Sequence, residues 1–203
     1  MKDSNQIIPI KLSNQFTIYK TKYDREYSKE DFLQVVELNK SLPYIGNFKD
    51  DHSLTLNIEC KEFKSVDNFF IRTLDSLFDI KTDKVSKHSW IYTQTQDFSA
   101  DWMHNHKNLH RFVETKYALG KPTPKSYIST TWVCVFYIQI PDKLENGKGD
   151  LLFSTEDNKT HRITPEENEI VIFSGDLNHM TLPTDGIPTK RISYVSNFNF
   201  NIW

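Results

Sequence analysis

Four residues of this chain have the types and spacing to do chemistry together: His104, His106, His179 and Arg191. In Trp102-Met-His104-Asn-His106 the two imidazoles stand two positions apart, and in an extended chain such residues point to one face. His179 follows a strand-like run (Ile170, Val171, Ile172, Phe173) and the polar turn Ser174-Gly175-Asp176; Arg191 comes 12 residues later, beyond a Pro/Gly loop. This order predicts His179 and Arg191 on adjacent antiparallel strands that face one interior. Three imidazoles on one face leave positions open on an octahedral ion, which is what an oxygen-activating non-haem iron requires. The guanidinium suits an organic co-ligand of that metal ending in a carboxylate, because its fork of donors matches carboxylate geometry. Two other readings stay open. A half-buried histidine on a strand is commonly a hydrogen-bonded core residue. Alternatively, His106 and His110 at helical spacing form an HxxxH pair suited to zinc, although no glutamate follows the first histidine as in zinc proteases.

The elements that must position these groups are legible from periodicity. Residues 15–20 alternate like a strand, and Ser28-Lys-Glu-Asp31 reads as a helix start with acids in the first turn. Phe32, Val35, Val36 and Leu38 predict an amphipathic helix over 29–41, and Leu54, Leu56 and Ile58 a short strand after the loop 43–53. Ser65 is the expected cap of a second helix whose stripe is Phe69, Phe70, Leu74, Leu77 and Phe78. Beyond Lys84 the period becomes strand-like: 85–96, 129–140, 150–153, 160–163, 169–173 and 191–202, with turn signals at 146–149 and 184–188. Short strands at this spacing indicate an antiparallel sandwich or barrel with two helices packed outside it. Asn168 stands in the turn before a buried strand, where a residue tolerant of positive φ is useful.

Composition narrows the class. The chain has 203 residues, 37% hydrophobic and 26% charged, which fits a single globular domain over 1–203. No apolar run approaches the ~20 residues that cross a bilayer, so no membrane partner is expected. The opening MKDSNQIIPIKL lacks the long apolar core of a secretory signal, which places the protein in the cytoplasm. Cys60 and Cys134 have no CxxC spacing and read as free buried thiols. A net charge of −2 makes no general case for nucleic acid, without excluding it. The 22-residue segment 107–128 is different: Lys107, Arg111, Lys116, Lys121 and Lys125 stand against Glu114 alone. It reads either as a solvated surface insertion or as a basic lid beside the site that recruits an anionic substrate.

Residues from about 85 to 203 resemble the iron(II)- and 2-oxoglutarate-dependent oxygenases of the prolyl-4-hydroxylase-like group, including small oxygenases of phages and bacteria. His104-Asn-His106 stands where that family has its first metal pair, and Ser129-Thr-Thr-Trp-Val-Cys-Val-Phe-Tyr137-Ile is similar to the strand that follows. Gly149-Asp150-Leu-Leu-Phe153 and Pro165-Glu-Glu-Asn-Glu-Ile-Val-Ile-Phe173 resemble two further family strands, the latter with Asn168 in place of glycine. His179-Met-Thr-Leu-Pro183 resembles the distal ligand motif and Arg191-Ile-Ser193 the co-substrate motif. The sequence departs from the family at His106, where the usual second ligand is a carboxylate, and in the insertion 107–128.

The resemblance implies a mainly β fold with flanking helices: a double-stranded β-helix (jelly-roll, cupin-like) core over 85–203, with residues 1–84 supporting the sheet. It implies an enzyme that uses Fe(II), 2-oxoglutarate and O2 to hydroxylate a C–H bond, releasing succinate and carbon dioxide. His104, His106 and His179 would hold the metal, and Arg191 and Ser193 the co-substrate, with hydrogen bonds from Tyr92 and Gln94. Tyr92 serves equally as a core aromatic, and Trp132 and Tyr137 read as packing residues. The alternative is a cupin-like metal-binding or non-catalytic module. The terminal FNFNIW is a candidate for pairing with another chain.

Overall fold

The amphipathic helices reveal how the sheet is covered. Ser28 caps the first helix, α1 (Lys29–Lys40), through a reciprocal pair: Asp31 N–H donates to Ser28 Oγ at 3.2 Å, and Ser28 N–H donates to Asp31 Oδ2 at 2.8 Å. The stripe of α1 is Phe32, Val35, Val36 and Asn39; Leu38 is 53% exposed, a correction to the expected stripe. Asn39 takes the inward position because its amide donates to the Val35 carbonyl at 2.9 Å. The second helix, α2, runs Lys61–Phe78. Ser65 therefore lies inside it and does not cap it; its hydroxyl instead meets Glu26 and Tyr23. The helix begins earlier because Phe63 belongs to the same buried stripe as Val66, Phe69, Phe70 and Leu74. Burying such side chains stabilises by about 1.5–3 kcal/mol each.

The computed structural model describes residues 6–40, 53–55, 60–78, 85–95, 102–106, 128–141, 144, 147–184 and 186–202. The strands are β1 (Ile8–Lys11), β2 (Thr17–Lys22), β3 (Ser53–Thr55), β4 (Val85–Gln94), β5 (Ile128–Gln139), β6 (Leu151–Ser154), β7 (Thr160–Ile163), β8 (Glu169–Ser174), β9 (Asn178–Thr181) and β10 (Arg191–Ile202). They form a seven-stranded sheet, β1-β2-β8-β5-β10-β4-β3, and a three-stranded sheet, β7-β6-β9; every pairing is antiparallel. Most expected strands stand within one or two residues of their predicted limits. The strand expected through Ile58 is described only as β3, since 56–59 lie outside the described residues, as does 107–127 of the basic insertion.

The large sheet has two faces with separate cores. Ile192, Tyr194 and Phe198 of β10 pack with Phe136, Ile138, Ile170 and the helices. Val195, Tyr137, Val133, Val171 and Phe173 pack toward the small sheet with Leu151, Phe153 and Leu177. β10 pairs with β4 without interruption from Arg191 to Phe200, so Arg191, Ser193, Val195 and Asn197 share the inter-sheet face. Neighbours on both sides also occupy β10: its outer edges are used by β4 and β5, and the sheet ends at β1 and β3. Along Ile192–Phe200 both edges of β10 are therefore taken within this chain. Asn168 has φ 67°, as its turn position requires. Cys60 and Cys134 are free thiols; Cys134 is buried as expected, whereas Cys60, just before α2, is only partly buried, a correction to the expectation. Among the described residues no helix is long and apolar enough to cross a membrane.

Candidate metal centre and anion site

His179 occupies the second position of β9, opposite Phe153 of β6, and His104 joins the same sheet as an isolated antiparallel bridge. Their backbones exchange two hydrogen bonds, His104 N–H to His179 O at 3.0 Å and His179 N–H to His104 O at 2.8 Å. His104 and His106 therefore do not sit on a regular strand, although the chain between them is extended enough to send both rings inward. His106 is fixed from the other side, its N–H donating to Gly175 O at 2.8 Å, while Gly175 N–H donates to Thr131 O at 2.7 Å. The turn can approach β5 this closely because it holds glycine: a Cβ at 175 would stand 2.8 Å from Thr131 Cβ and 3.1 Å from its carbonyl oxygen.

The three rings converge. One ligand atom from each of His104, His106 and His179 can be chosen so that all lie within 4.8 Å of one another. His106 Nε2 and His179 Nε2 are 3.3 Å apart. Metal–nitrogen bonds of ~2.1 Å at right angles put two nitrogens ~3.0 Å apart, so this pair already has the separation of two ligands on one ion. His106 and His179 are buried and His104 half-buried. Burial, and then the neighbouring imidazoles, lower the His106 pKa to about 3 and hold that of His179 well below the usual value. Both rings are thus neutral at physiological pH and keep a lone pair for a metal. His179 Nδ1 and His104 Nδ1 each lie 2.9 Å from a backbone carbonyl, of Leu177 and Trp102. With those nitrogens protonated, both Nε2 lone pairs point at the shared space.

Arg191 is not beside His179 as expected from the sequence. β9 belongs to the small sheet and β10 to the large one, because the loop after Thr181 crosses from one layer to the other. The two side chains meet the same interior from opposite walls. Arg191 is 1% exposed, and its Nε and Nη1 have no hydrogen-bond partner among the described residues. Its guanidinium lies 4.9 Å from the Tyr137 ring centroid. Tyr137 is fully buried and its hydroxyl also has no partner there. Burial pushes that phenol up to about 12, the Arg191 charge opposing, so it remains a neutral donor.

Ser193 is opposite both Tyr92 and Tyr137 in register, and Gln94 is opposite Arg191, which places all five on the inter-sheet face. Gln94 is buried; its amide nitrogen donates to Leu182 O at 3.3 Å and its oxygen has no partner among the described residues. Trp132 is a packing residue as expected, stacked on Phe78 at 4.1 Å. Tyr137 packs in the inter-sheet core as the sequence suggests, and it also lies beside Arg191, a place that the sequence reading does not predict. The available signal was its spacing within β5, which puts it on the face opposite Phe136.

A buried cation with free donors is costly unless an anion completes it. The arrangement fits a carboxylate at Arg191 and Tyr137, and a divalent metal at the three imidazoles. Three neutral ligands leave the metal's charge uncompensated, which a dianionic chelator would offset.

No protein-family model and no curated protein matches the chain. Among solved structures it is similar to a prolyl 4-hydroxylase from Phytophthora capsici, at 12% identity and TM-score 0.54, over 84% of this chain and 52% of that one. It is also similar to a prolyl-4-hydroxylase from Pseudomonas putida, with 13% identity, TM-score 0.46 and coverage of 72% and 69%. A third is an oxidoreductase of the 2OG-Fe(II) oxygenase family from Burkholderia pseudomallei, with 11% identity, TM-score 0.46 and coverage of 96% and 73%. The chain spans about half the length of the Phytophthora protein. The first of these likenesses establishes the fold, a β-rich jelly roll with flanking helices.

Proposed function

We propose that this chain, acting as one catalytic unit, is an iron(II)- and 2-oxoglutarate-dependent dioxygenase that hydroxylates a C–H bond. The observation that carries the reading is the buried Arg191, whose Nε and Nη1 have no hydrogen-bond partner among the described residues, on the wall opposite the histidines of the small sheet. A purely structural barrel has no use for a guanidinium kept in that condition, whereas a dicarboxylate co-substrate reaching from metal to guanidinium uses both ends of the site.

His104, His106 and His179 would hold iron(II) through three neutral nitrogens on one side. Arg191 would clamp the distal carboxylate of 2-oxoglutarate, with Ser193 and the Tyr137 hydroxyl as further donors. Tyr92 and Gln94 line the same wall from β4. When bound, iron, 2-oxoglutarate and dioxygen supply the oxidation itself: one oxygen atom goes to the substrate C–H bond and one to succinate, with carbon dioxide released. The residues of the chain bind and orient. The apolar rings of Phe153 and Phe173 beside His179 keep water from that side of the centre. The five basic residues of 107–128 support an anionic substrate, whose capture would weaken with salt.

The direct test is succinate formation from 2-oxoglutarate with added iron(II), which requires no knowledge of the prime substrate. Turnover that needs both iron(II) and 2-oxoglutarate, and is lost in Arg191→Leu, is the expected result. Metal binding without 2-oxoglutarate binding would favour a cupin-like non-catalytic module.

A further inference from the structure

Asn197 lies six residues beyond Arg191 on β10, on the same face, 1% exposed. Its side-chain nitrogen is 3.0 Å from His106 Nδ1, and its Oδ1 has no hydrogen-bond partner among the described residues. An amide nitrogen can only donate, so in this arrangement His106 Nδ1 accepts and the ring proton sits on Nε2. That proton points at His179 Nε2, 3.3 Å away. His106 is then the odd member of the triad, since His104 and His179 have Nδ1 facing a carbonyl oxygen and Nε2 available. Rotating the Asn197 amide by half a turn exchanges its two ends. Oδ1 would then accept from a protonated Nδ1, and the lone pair of Nε2 would face the other two rings.

We infer that Asn197 is a positioning residue for the metal centre, its side-chain oxygen holding His106 in the Nδ1–H tautomer that frees Nε2 to bind the ion. The inference rests on the three-histidine reading above and adds to it the residue that selects between two hydrogen-bonding states of the second ligand. The ring keeps one proton in both states; it leaves Nε2 and is replaced at Nδ1, so no charge is created in the buried site. The exchange couples rotation about the last side-chain bond to the move of the ring proton from Nε2 to Nδ1; it gives Oδ1, which has no partner among the described residues, a donor, and turns the amide N–H groups to the position Oδ1 leaves. Partners of this kind on metal-bound histidines set ring orientation and ligand basicity, and their loss typically costs 10–100-fold in metal affinity.

The test uses cobalt(II) titration of the full chain and nitrogen-15 NMR of its histidines with zinc(II) bound. Asn197→Leu, close in volume but with no acceptor, is expected to weaken cobalt(II) binding about 10–100-fold. Asn197→Asp, which keeps the acceptor, is expected to restore it. Parental affinity in Asn197→Leu would overturn the inference. Should that variant fail to fold, the NMR measurement on the parent decides: His106 is expected to carry its proton on Nδ1 in the zinc-bound protein, and metal on Nδ1 would overturn it. His179→Ala in the same titration separates the two claims. Binding unchanged there would sink the triad itself, whereas loss in His179→Ala alongside parental binding in Asn197→Leu would sink only the role of Asn197.

Discussion

Alternate residues of one strand, β10, build two regions that treat buried polar groups in opposite ways. Toward the helices, Tyr194 donates its hydroxyl to Asp67 Oδ1 at 2.9 Å and Ser196 donates to the same oxygen at 3.1 Å. Lys87 pairs with the other carboxylate oxygen, so this polar cluster is complete. Toward the small sheet, Arg191, Asn197, the neighbouring Tyr137 and Gln94 each retain a buried atom without a partner among the described residues. The difference separates a network that holds α2 to the sheet from a set of groups that await something. Unsatisfied buried donors and acceptors lower stability, so their concentration on one face is what a site kept for a ligand would show.

The sharpest way to break this comparison is to remove one group from each face. Arg191→Leu is expected to weaken 2-oxoglutarate binding by about 2–5 kcal/mol, as loss of one member of a buried charge pair does. Its unfolding free energy should stay level or rise, because the replacement removes unpaired donors. Calorimetric titration together with urea unfolding reads both quantities, and a clear loss of stability without loss of binding would reverse the assignment of the faces.

Asp67→Ala should behave in the opposite sense. It strips an acceptor from Tyr194, Ser196 and Lys87 at once and is expected to destabilise by about 2–4 kcal/mol, less than a fully buried ion pair because Lys87 is partly exposed. Cobalt(II) affinity in the folded fraction should remain that of the parent. A drop in affinity matching the drop in stability would show that the two faces are coupled.

Acid sharpens the contrast further. The folded pKa of His106 is lowered to about 3 from the ordinary 6.5, and that of His179 moves in the same direction, because burial penalises the charged rings. Between about pH 3 and 6.5 the unfolded chain binds more protons at these positions, so stability falls as pH falls through that window, by about 1.4 kcal/mol per pH unit for each ring. Urea midpoints measured from pH 7.5 to 5 should show this slope, and His106→Asn should flatten it. An equal slope in the variant would assign the acid sensitivity elsewhere.

The smallest expected effect belongs to Tyr137→Phe. Removing a buried hydroxyl that has no hydrogen-bond partner among the described residues should leave stability unchanged or slightly higher. It should weaken 2-oxoglutarate binding by about 1 kcal/mol, the net worth of one hydrogen bond. A loss of stability with unchanged binding would return Tyr137 to the packing role read from sequence.

Much of the architecture is legible in residue order because its causes are local. The Ser28–Asp31 cap, the 3.6-residue stripe of α2, the alternation of β10 and the positive φ at Asn168 each depend on residues a few positions apart. The convergence of His104 and His106 was legible too, since imidazoles spaced by two in an extended segment share a face whatever lies around them. Ser65 misled because a good capping residue also fits within a helix whose apolar stripe continues upstream to Phe63. Three things waited for the tertiary structure: that His179 and Arg191 approach from different sheets, that Tyr137 lies beneath the guanidinium, and that Asn197 meets His106. Each depends on which distant strands become neighbours, and on which buried groups then find partners. Local periodicity carries no information about either, because strand pairing and burial are settled by contacts between residues far apart in the chain.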